Sequence, residues 1–260
     1  MAHERVNVVT GGGAGIGRAV ALLCASRGES VAVLDVNGPS AERVATEALE
    51  RGAAAALGIR CDVSVEEEIE RAFAECVEQL GVPTGVFANA GIDVGGMVHE
   101  LPFESWQRVL ATNLNGIYLT CKHAIRQMLA AQRGGSIVCT SSPSSFLAIA
   151  AGGAGAYSAS KGGISALVRC LAVDYAGRGI RVNAVVPGAT ETALMWASVP
   201  EEQRSAIRQQ ICAEVPLGRV AEPEEPARAV LWLLSEEASY VTGSHLVCDG
   251  GILAKSSISV

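Results

Sequence analysis

The sequence predicts an α/β fold: one parallel sheet of seven strands, doubly wound, with helices on both faces. Three observations carry this expectation. Short apolar runs alternate with longer amphipathic stretches through all 260 residues. The first run empties into Thr10-Gly11-Gly12-Gly13-Ala14-Gly15-Ile16-Gly17, a glycine-rich turn that opens a helix. No linker, repeat or composition shift divides the chain, so residues 1–260 read as one domain.

Bulk composition narrows the function classes. Hydrophobic residues make up 49% and charged residues 18%, which supports a large buried core and argues against disorder. A net charge of −7 with no basic block argues against a nucleic-acid surface. An anionic ligand stays open, because helix N-termini bind one. The apolar stretch from Phe146 to Ala156 is too short to span a bilayer. Met1-Ala2-His3-Glu4-Arg5 has no apolar signal region, so a cytoplasmic location is expected and no membrane partner. The eight cysteines contain no Cys-x-x-Cys pair and read as small core residues. The four histidines offer no metal-ligand spacing, so no metal is expected.

In chain order, Val6-Asn7-Val8-Val9 reads as a buried strand and Ile16 to about Arg27 as the first helix. Gly11, Gly13, Gly15 and Gly17 permit a tight turn and let a diphosphate approach bare backbone. The first helical N–H groups would face that anion. A plain strand–helix connection is the other reading. Ser30–Asp35 is a second strand ending in an acid, at about the distance expected for a residue that binds adenosine ribose hydroxyls. The alternative is a strand-end residue starting the Asn37-Gly38-Pro39 turn. With no basic residue at Ala14 or Val36 to neutralise a 2′-phosphate, Asp35 favours NAD over NADP.

Ser40–Arg51 reads as helix and Ala54–Arg60 as the third strand. Ser64 is expected to cap the helix Val65–Leu80 and leave Asp62 free. Thr84–Ala88 is a fourth strand running into Asn89-Ala90-Gly91, small residues that suit close approach to a nucleotide. His99, in the loop 92–101, reads as exposed. Phe103 to about Ala131 is largely helical, yet it carries Asn113-Leu114-Asn115-Gly116 against helix propensity, a misfit that marks function or a kink.

The fifth strand, Ser136–Thr140, ends in Ser141-Ser142-Pro143-Ser144-Ser145. Then Tyr157-Ser158-Ala159-Ser160-Lys161 opens a helix to about Ala176. Positions i and i+4 share one face, so phenol and ammonium can converge. A free tyrosine, with pKa about 10, is a poor base at neutral pH, and a neighbouring cation is expected to lower that value. Ile180–Val186 forms a sixth strand leading to Pro187-Gly188. Ala193 to Val215 is polar, helical and interrupted; a helix over Pro223–Leu234 and a seventh strand before Asp249 follow.

Thr-Gly-x-x-x-Gly-Ile-Gly, Asp62-Val63, Asn89-Ala90-Gly91, Asn113-x-x-Gly, the serine-rich strand end and Tyr-x-x-x-Lys together resemble the short-chain dehydrogenase/reductase family over nearly the whole chain. Ala88 departs from the pattern, where the family has a first Asn before Asn89. The resemblance implies a Rossmann architecture and reversible hydride transfer between NAD(H) and a secondary alcohol or ketone. Tyr157 would be the general acid/base, and Lys161 would lower its pKa and hold the nicotinamide ribose. Ser142 would bind the substrate oxygen and Asn113 would position a proton-relaying water. Gly11, Gly13, Gly15, Ile16, Gly17, Asp35, Asp62, Val63, Asn89, Ala90, Gly91, Pro187, Gly188 and Thr192 would line the cofactor, although Thr190 competes with Thr192. Residues 193–215 correspond to the family's substrate lid, and a homotetramer is the implied assembly. An NAD-binding scaffold without turnover, and a lyase or epimerase on a related fold, are the competing classes.

Two counts place the catalytic serine differently. The family's usual thirteen-residue spacing before Tyr157 selects Ser144. Counting from the strand selects Ser142 as the first residue past the sheet. Strands resist insertions, whereas the loop 151–156 tolerates two extra residues. Pro143 also biases Ser142 toward an extended conformation. Ser142 is therefore expected.

Overall fold

Runs of Val, Ile and Ala form strands here because helices cover the sheet from both sides and leave no face to water. In the computed structural model, which describes residues 5–148, 152–197 and 199–255, β1 (Val6–Thr10) and β2 (Ser30–Asp35) are buried along nearly their whole length. So are β5 (Gly135–Thr140) and β6 (Ile180–Pro187). β3 (Ala56–Arg60), β4 (Gly85–Ala88) and β7 (His245–Cys248) complete a seven-stranded parallel sheet. Its order is β3-β2-β1-β4-β5-β6-β7.

Side chains alternate across this sheet and build two cores. Val6, Val8, Ile137, Cys139 and Val182 face one. It is closed by α3 (Glu66–Leu80), α5 (Gly116–Ala130) and α6 (Gly155–Tyr175). Val9, Val138 and Val185 face the other. It is closed by α1 (Gly15–Ala25), α2 (Gly38–Glu50) and α8 (Glu224–Leu234). Phe73 in the first core and Phe87 in the second have no exposed surface, and burial of each contributes about 1.5–3 kcal/mol.

The expected strands lie within two residues of those observed. Three local readings change. First, Ser64 does not cap α3. Asp62 Oδ1 accepts from the Ser64 N–H at 2.9 Å and from its hydroxyl at 2.6 Å. A carboxylate two residues upstream outcompetes the helix for that serine. The start of α3 is met instead by Glu66, Glu67 and Glu68 in its first turn, where negative charge complements the dipole. Asp62 is thus engaged rather than free.

Second, the long helix is interrupted. α4 (Phe103–Leu110) runs through a π-turn, Ala111–Asn115, into α5. A Cβ on Gly116 would lie 2.6 Å from Val63 Cγ2, so only glycine fits beside Val63 there. Third, the cysteines are not uniformly core residues: Cys24, Cys61, Cys76, Cys121 and Cys139 are buried, but Cys170 is exposed. The predicted lid resolves into turns around Trp196 and a helix, α7 (Glu201–Glu214), that buries none of its residues. Trp196 Nε1 and Arg208 both hydrogen-bond Glu191, which ties the lid to the end of the sheet. Residue 151, at the start of the proposed two-residue insertion, and residue 198 of the lid lie outside the described residues.

Candidate active site

The strand order reverses between β1 and β4, and the chain leaves their carboxyl ends toward opposite faces. That opens a crevice at the edge of the sheet. The glycine turn after β1 and the Asn89-Ala90-Gly91 turn after β4 meet in it. Thr10 Oγ1 accepts the Asn89 N–H at 3.0 Å, and Asn89 Nδ2 donates to Thr10 O at 3.2 Å. A Cβ on Gly11 (φ +62°) would lie 2.8 Å from Ala90 Cα. One on Gly17 would collide with the Gly11 carbonyl oxygen. Glycine at both places therefore lets the two turns and α1 close on one another.

α1 starts after Ala14 with no side chain capping its first N–H groups. Gly15 (φ +52°) lies beneath Thr192, whose Cγ2 would be 3.1 Å from a Cβ there. Ile16 is half-buried beside it. The Thr190 hydroxyl is already committed to Gly188 O, at 3.0 Å. Gly188, following Pro187, packs so closely on Asp249 that a Cβ would meet Asp249 Cα at 2.6 Å. Val63 is buried against Gly116, and Gly91 lies under Asn113.

Asp35 accepts the Gly13 N–H on Oδ2 and the Asn37 N–H on Oδ1, both at 2.9 Å. It fastens the glycine turn to β2 and stands at the mouth of the crevice. Uncapped helical N–H donors, a side-chain-free turn and a strand-end carboxylate acceptor are the groups a dinucleotide requires, and the residues present fit one.

Across the crevice, α6 presents Tyr157 and Lys161 one turn apart. Lys161 Nζ lies 5.3 Å from the centre of the Tyr157 ring and donates to Thr140 O at 2.8 Å. Ser142 lies near enough to Tyr157 to favour its ionised form, and the Ser142 Oγ accepts the Ser144 N–H at 3.2 Å. Ser142 is extended (φ −161°, ψ 156°) and continues the direction of β5. Ser144 is buried beyond Pro143, and its hydroxyl has no partner.

Burial governs both ionisable groups. It raises Tyr157 to about 12, a shift that the nearby Ser142 hydroxyl partly offsets and the Asp93 carboxylate adds to. It lowers Lys161 to about 8. The expectation that the lysine leaves Tyr157 below its ordinary value is therefore not met in the isolated chain: desolvation of the phenolate is the largest influence, and Lys161 is not among the groups that shift it.

Asn113 is fully buried on the π-turn. Its Oδ1 accepts the Ile92 N–H at 2.8 Å, while Nδ2 donates to Ile92 O at 2.9 Å and to Ser160 Oγ at 3.2 Å. Both amide hydrogens are used, so the side chain holds the residue after Asn89-Ala90-Gly91 against α6.

Two residues at the site escaped the sequence reading. Asp93, immediately after Ile92, has a buried Oδ1 with no hydrogen-bond partner. An acid directly behind a glycine turn was the available signal. Arg43, on α2, reaches Gly13 O at 3.4 Å. Its distance from the glycine turn in sequence hid it. Among the described residues no group of three or more His, Cys, Asp and Glu side chains could hold a metal, and no helix is long and apolar enough to cross a membrane.

A doubly wound sheet with this crevice, a glycine turn and a Tyr–Lys pair on one helix defines a short-chain dehydrogenase. Comparison with known proteins agrees. The family model described as enoyl-(acyl carrier protein) reductase matches residues 11–253. The chain is 41% identical to the cis-4-hydroxycyclohexanecarboxylate dehydrogenase of Sinomonas cyclohexanicum, covering 96% of this chain and 97% of that one. It is 38% identical to 2-(S)-hydroxypropyl-CoM dehydrogenase 3 of Xanthobacter autotrophicus, with the same coverage. A short-chain type dehydrogenase/reductase from Mycobacterium marinum superposes with a TM-score of 0.91 at 33% identity, over 96% of each chain. The chain belongs to the short-chain dehydrogenase/reductase family and is an oxidoreductase of the short-chain alcohol dehydrogenase type.

Proposed function

We propose that the protein interconverts a secondary alcohol and a ketone with NAD(H). The convergence of Tyr157, Lys161 and Ser142 at the mouth of the crevice carries this reading. When bound, the nicotinamide supplies the hydride acceptor or donor. The protein's part is to bind, orient and move one proton. In ketone reduction the Tyr157 phenol donates its proton to the carbonyl oxygen as that oxygen gains charge. In alcohol oxidation the phenolate takes the hydroxyl proton.

Ser142 is the second hydrogen-bonding group at the substrate oxygen, beside Tyr157. Lys161 supplies positive charge near the ring and would hold the nicotinamide ribose. Asn113 is a positioning residue through Ile92, and any contact it makes to a relay water falls to its remaining carbonyl capacity. The glycine turn, Asp62, Val63, Asn89, Ala90, Gly91, Pro187, Gly188 and Thr192 would line the cofactor, and the segment 193–215 would cover the substrate. A small alicyclic or short-chain secondary alcohol is the substrate class, by analogy with what the named relatives oxidise. Exposed apolar side chains on α5 and α6, Tyr118 and Val173, support assembly through these helices into a homotetramer, in the cytoplasm.

NAD is preferred because Asp35 would face the ribose hydroxyls and repel a 2′-phosphate. Arg43 is the observation that favours NADP instead, as a guanidinium at Gly13 that could attract a phosphate. Comparing kcat/KM with the two cofactors decides: a preference for NADP overturns the Asp35 assignment. Tyr157→Phe tests the chemistry. Turnover should fall by at least ~10²-fold with NADH binding retained. Near-normal turnover would rule out the acid/base role. Bound NADH with no turnover of any alcohol by the unaltered protein would favour a scaffold.

A further inference from the structure

α7 is 14 residues long, and none of them is buried. Its apolar residues Ile207 and Ile211 are only half-covered. A helix of that length is marginal in water without tertiary packing, so something other than burial must hold it. Lys255 reaches the carbonyl of its last residue, Glu214, at 3.2 Å. The tie to the sheet is Glu191. Its backbone is fixed, because its N–H donates to Ala221 O at 2.8 Å and Thr190 before it is bridged to Ala221. Its Oε1 accepts the Trp196 Nε1–H at 2.6 Å, and its Oε2 accepts from Arg208 of α7. The Arg208 guanidinium lies 5.6 Å from the centre of the Trp196 ring. Three side chains thus close on one another, with both carboxylate oxygens in use. The next residue, Thr192, accepts the Met195 N–H on its hydroxyl at 3.3 Å and lies against Gly15 of the glycine turn. The first turn of the lid is therefore seated at the crevice, directly beside the latch.

We propose that Glu191 is a positioning residue that latches the lid: through Trp196 and Arg208 its carboxylate keeps residues 193–215 folded at the crevice and so sets the affinity for the alcohol without touching it. The inference rests on the proposed reading of 193–215 as the substrate lid. It goes beyond that reading by naming the group that holds the lid in place. The two contacts differ in weight. Trp196 is buried, and its hydrogen bond to a charged acceptor is worth about tenfold or more. The Arg208 pair is exposed and screened and adds a few-fold at most.

Glu191→Ala, Glu191→Gln and Trp196→Phe test the latch in the whole protein. Opening is read by trypsin cleavage after Arg204, an exposed residue of α7 that becomes a substrate when the helix unfolds locally. In the cofactor-free protein Glu191→Ala should be cut there at least about tenfold faster than the unaltered chain. The Tm of the whole protein should hardly move, because α7 contributes no buried residue to the core. Glu191→Gln still accepts from Trp196 and should fall between the two. Glu191→Ala combined with Trp196→Phe should be cut no faster than Glu191→Ala, since both remove one contact. Unchanged cleavage in Glu191→Ala, or additive effects of the two substitutions, overturns the proposal.

Kinetics show whether the latch serves the site. Glu191→Ala should raise KM for an alcohol substrate by at least about tenfold and leave kcat within about threefold, and Glu191→Gln should recover part of the loss. Faster cleavage with an unchanged KM overturns the proposal, because the latch would then hold only the helix. Absence of turnover by the unaltered protein counts against the proposed reaction and not against Glu191, which the cleavage rates then decide.

Discussion

Replacing Lys161 by methionine should stabilise the cofactor-free protein while abolishing its activity. Lys161 is 2% exposed, and burial lowers its pKa from 10.5 to about 8. At 1.36 kcal/mol per pH unit, the burial of its charge costs on the order of 3 kcal/mol. Methionine fills nearly the same volume without the charge. Its disadvantage is the carbonyl of Thr140, which loses the 2.8 Å hydrogen bond from Nζ at about 1–3 kcal/mol. The expected balance at pH 7 is a gain of about 1 kcal/mol, or roughly 2–4 °C in Tm.

The sign of the pH dependence is fixed by the same shift. Between about 8 and 10.5 the unfolded chain holds a proton on this lysine that the folded chain has lost. The stability of the unaltered protein therefore rises with pH across that window relative to the variant. Below pH 8 the difference should be constant. Urea unfolding of both proteins at pH 7, 8.5 and 10 measures it. A variant clearly less stable than the parent at pH 7, or a difference that does not change between pH 8 and 10, would refute the claim that desolvation dominates at this site.

Other outcomes follow from the same geometry. Because the Tyr157 phenol titrates above its ordinary range, kcat/KM for alcohol oxidation should climb with pH through the alkaline region, and that for ketone reduction should fall there; a pH-independent oxidation rate would contradict a tyrosine base. Ser142→Ala should cut turnover by ~10²-fold or more, whereas Ser144→Ala, which removes a buried hydroxyl with no partner, should keep activity and leave Tm unchanged or higher; the reverse pattern would mean that the family's thirteen-residue spacing selects the catalytic serine after all. Gly17→Ala places a Cβ against the Gly11 carbonyl and should weaken NADH binding at least tenfold or reduce stability by about 1–3 kcal/mol, read by NADH titration and thermal melts; normal values for both would remove the close packing of α1 on the glycine turn as the reason for glycine there.

The architecture was legible in the sequence because it rests on local signals. Period-2 burial, glycine turns and apolar helix faces repeat along the chain, and right-handed crossovers leave few ways to assemble them. The positions of Tyr157 and Lys161 relative to each other were legible for the same reason, since helix geometry alone sets an i,i+4 pair. What Asn113 touches was not: the misfit in the helix was visible, but the π-turn that aims its amide at Ile92, on another segment, appears only in the fold. Ser64 was misread because its N–H and hydroxyl turn back to Asp62, a local two-residue bond that competes with capping.

The sign of the Tyr157 shift was misjudged for a related reason. Sequence spacing reports which charge is near, and only the folded chain reports how much water is gone. Asp93 and Arg43 belong to the same class, ordinary loop and helix residues whose surroundings come from distant segments. The sequence by itself determined the sheet, the crevice and the residue types brought to it, because short-range periodicity and turn chemistry carry that information. Tertiary structure alone decided which carboxylate oxygen is buried without a partner and how burial shifts Tyr157 and Lys161, because desolvation and long-range packing are properties of the assembled core.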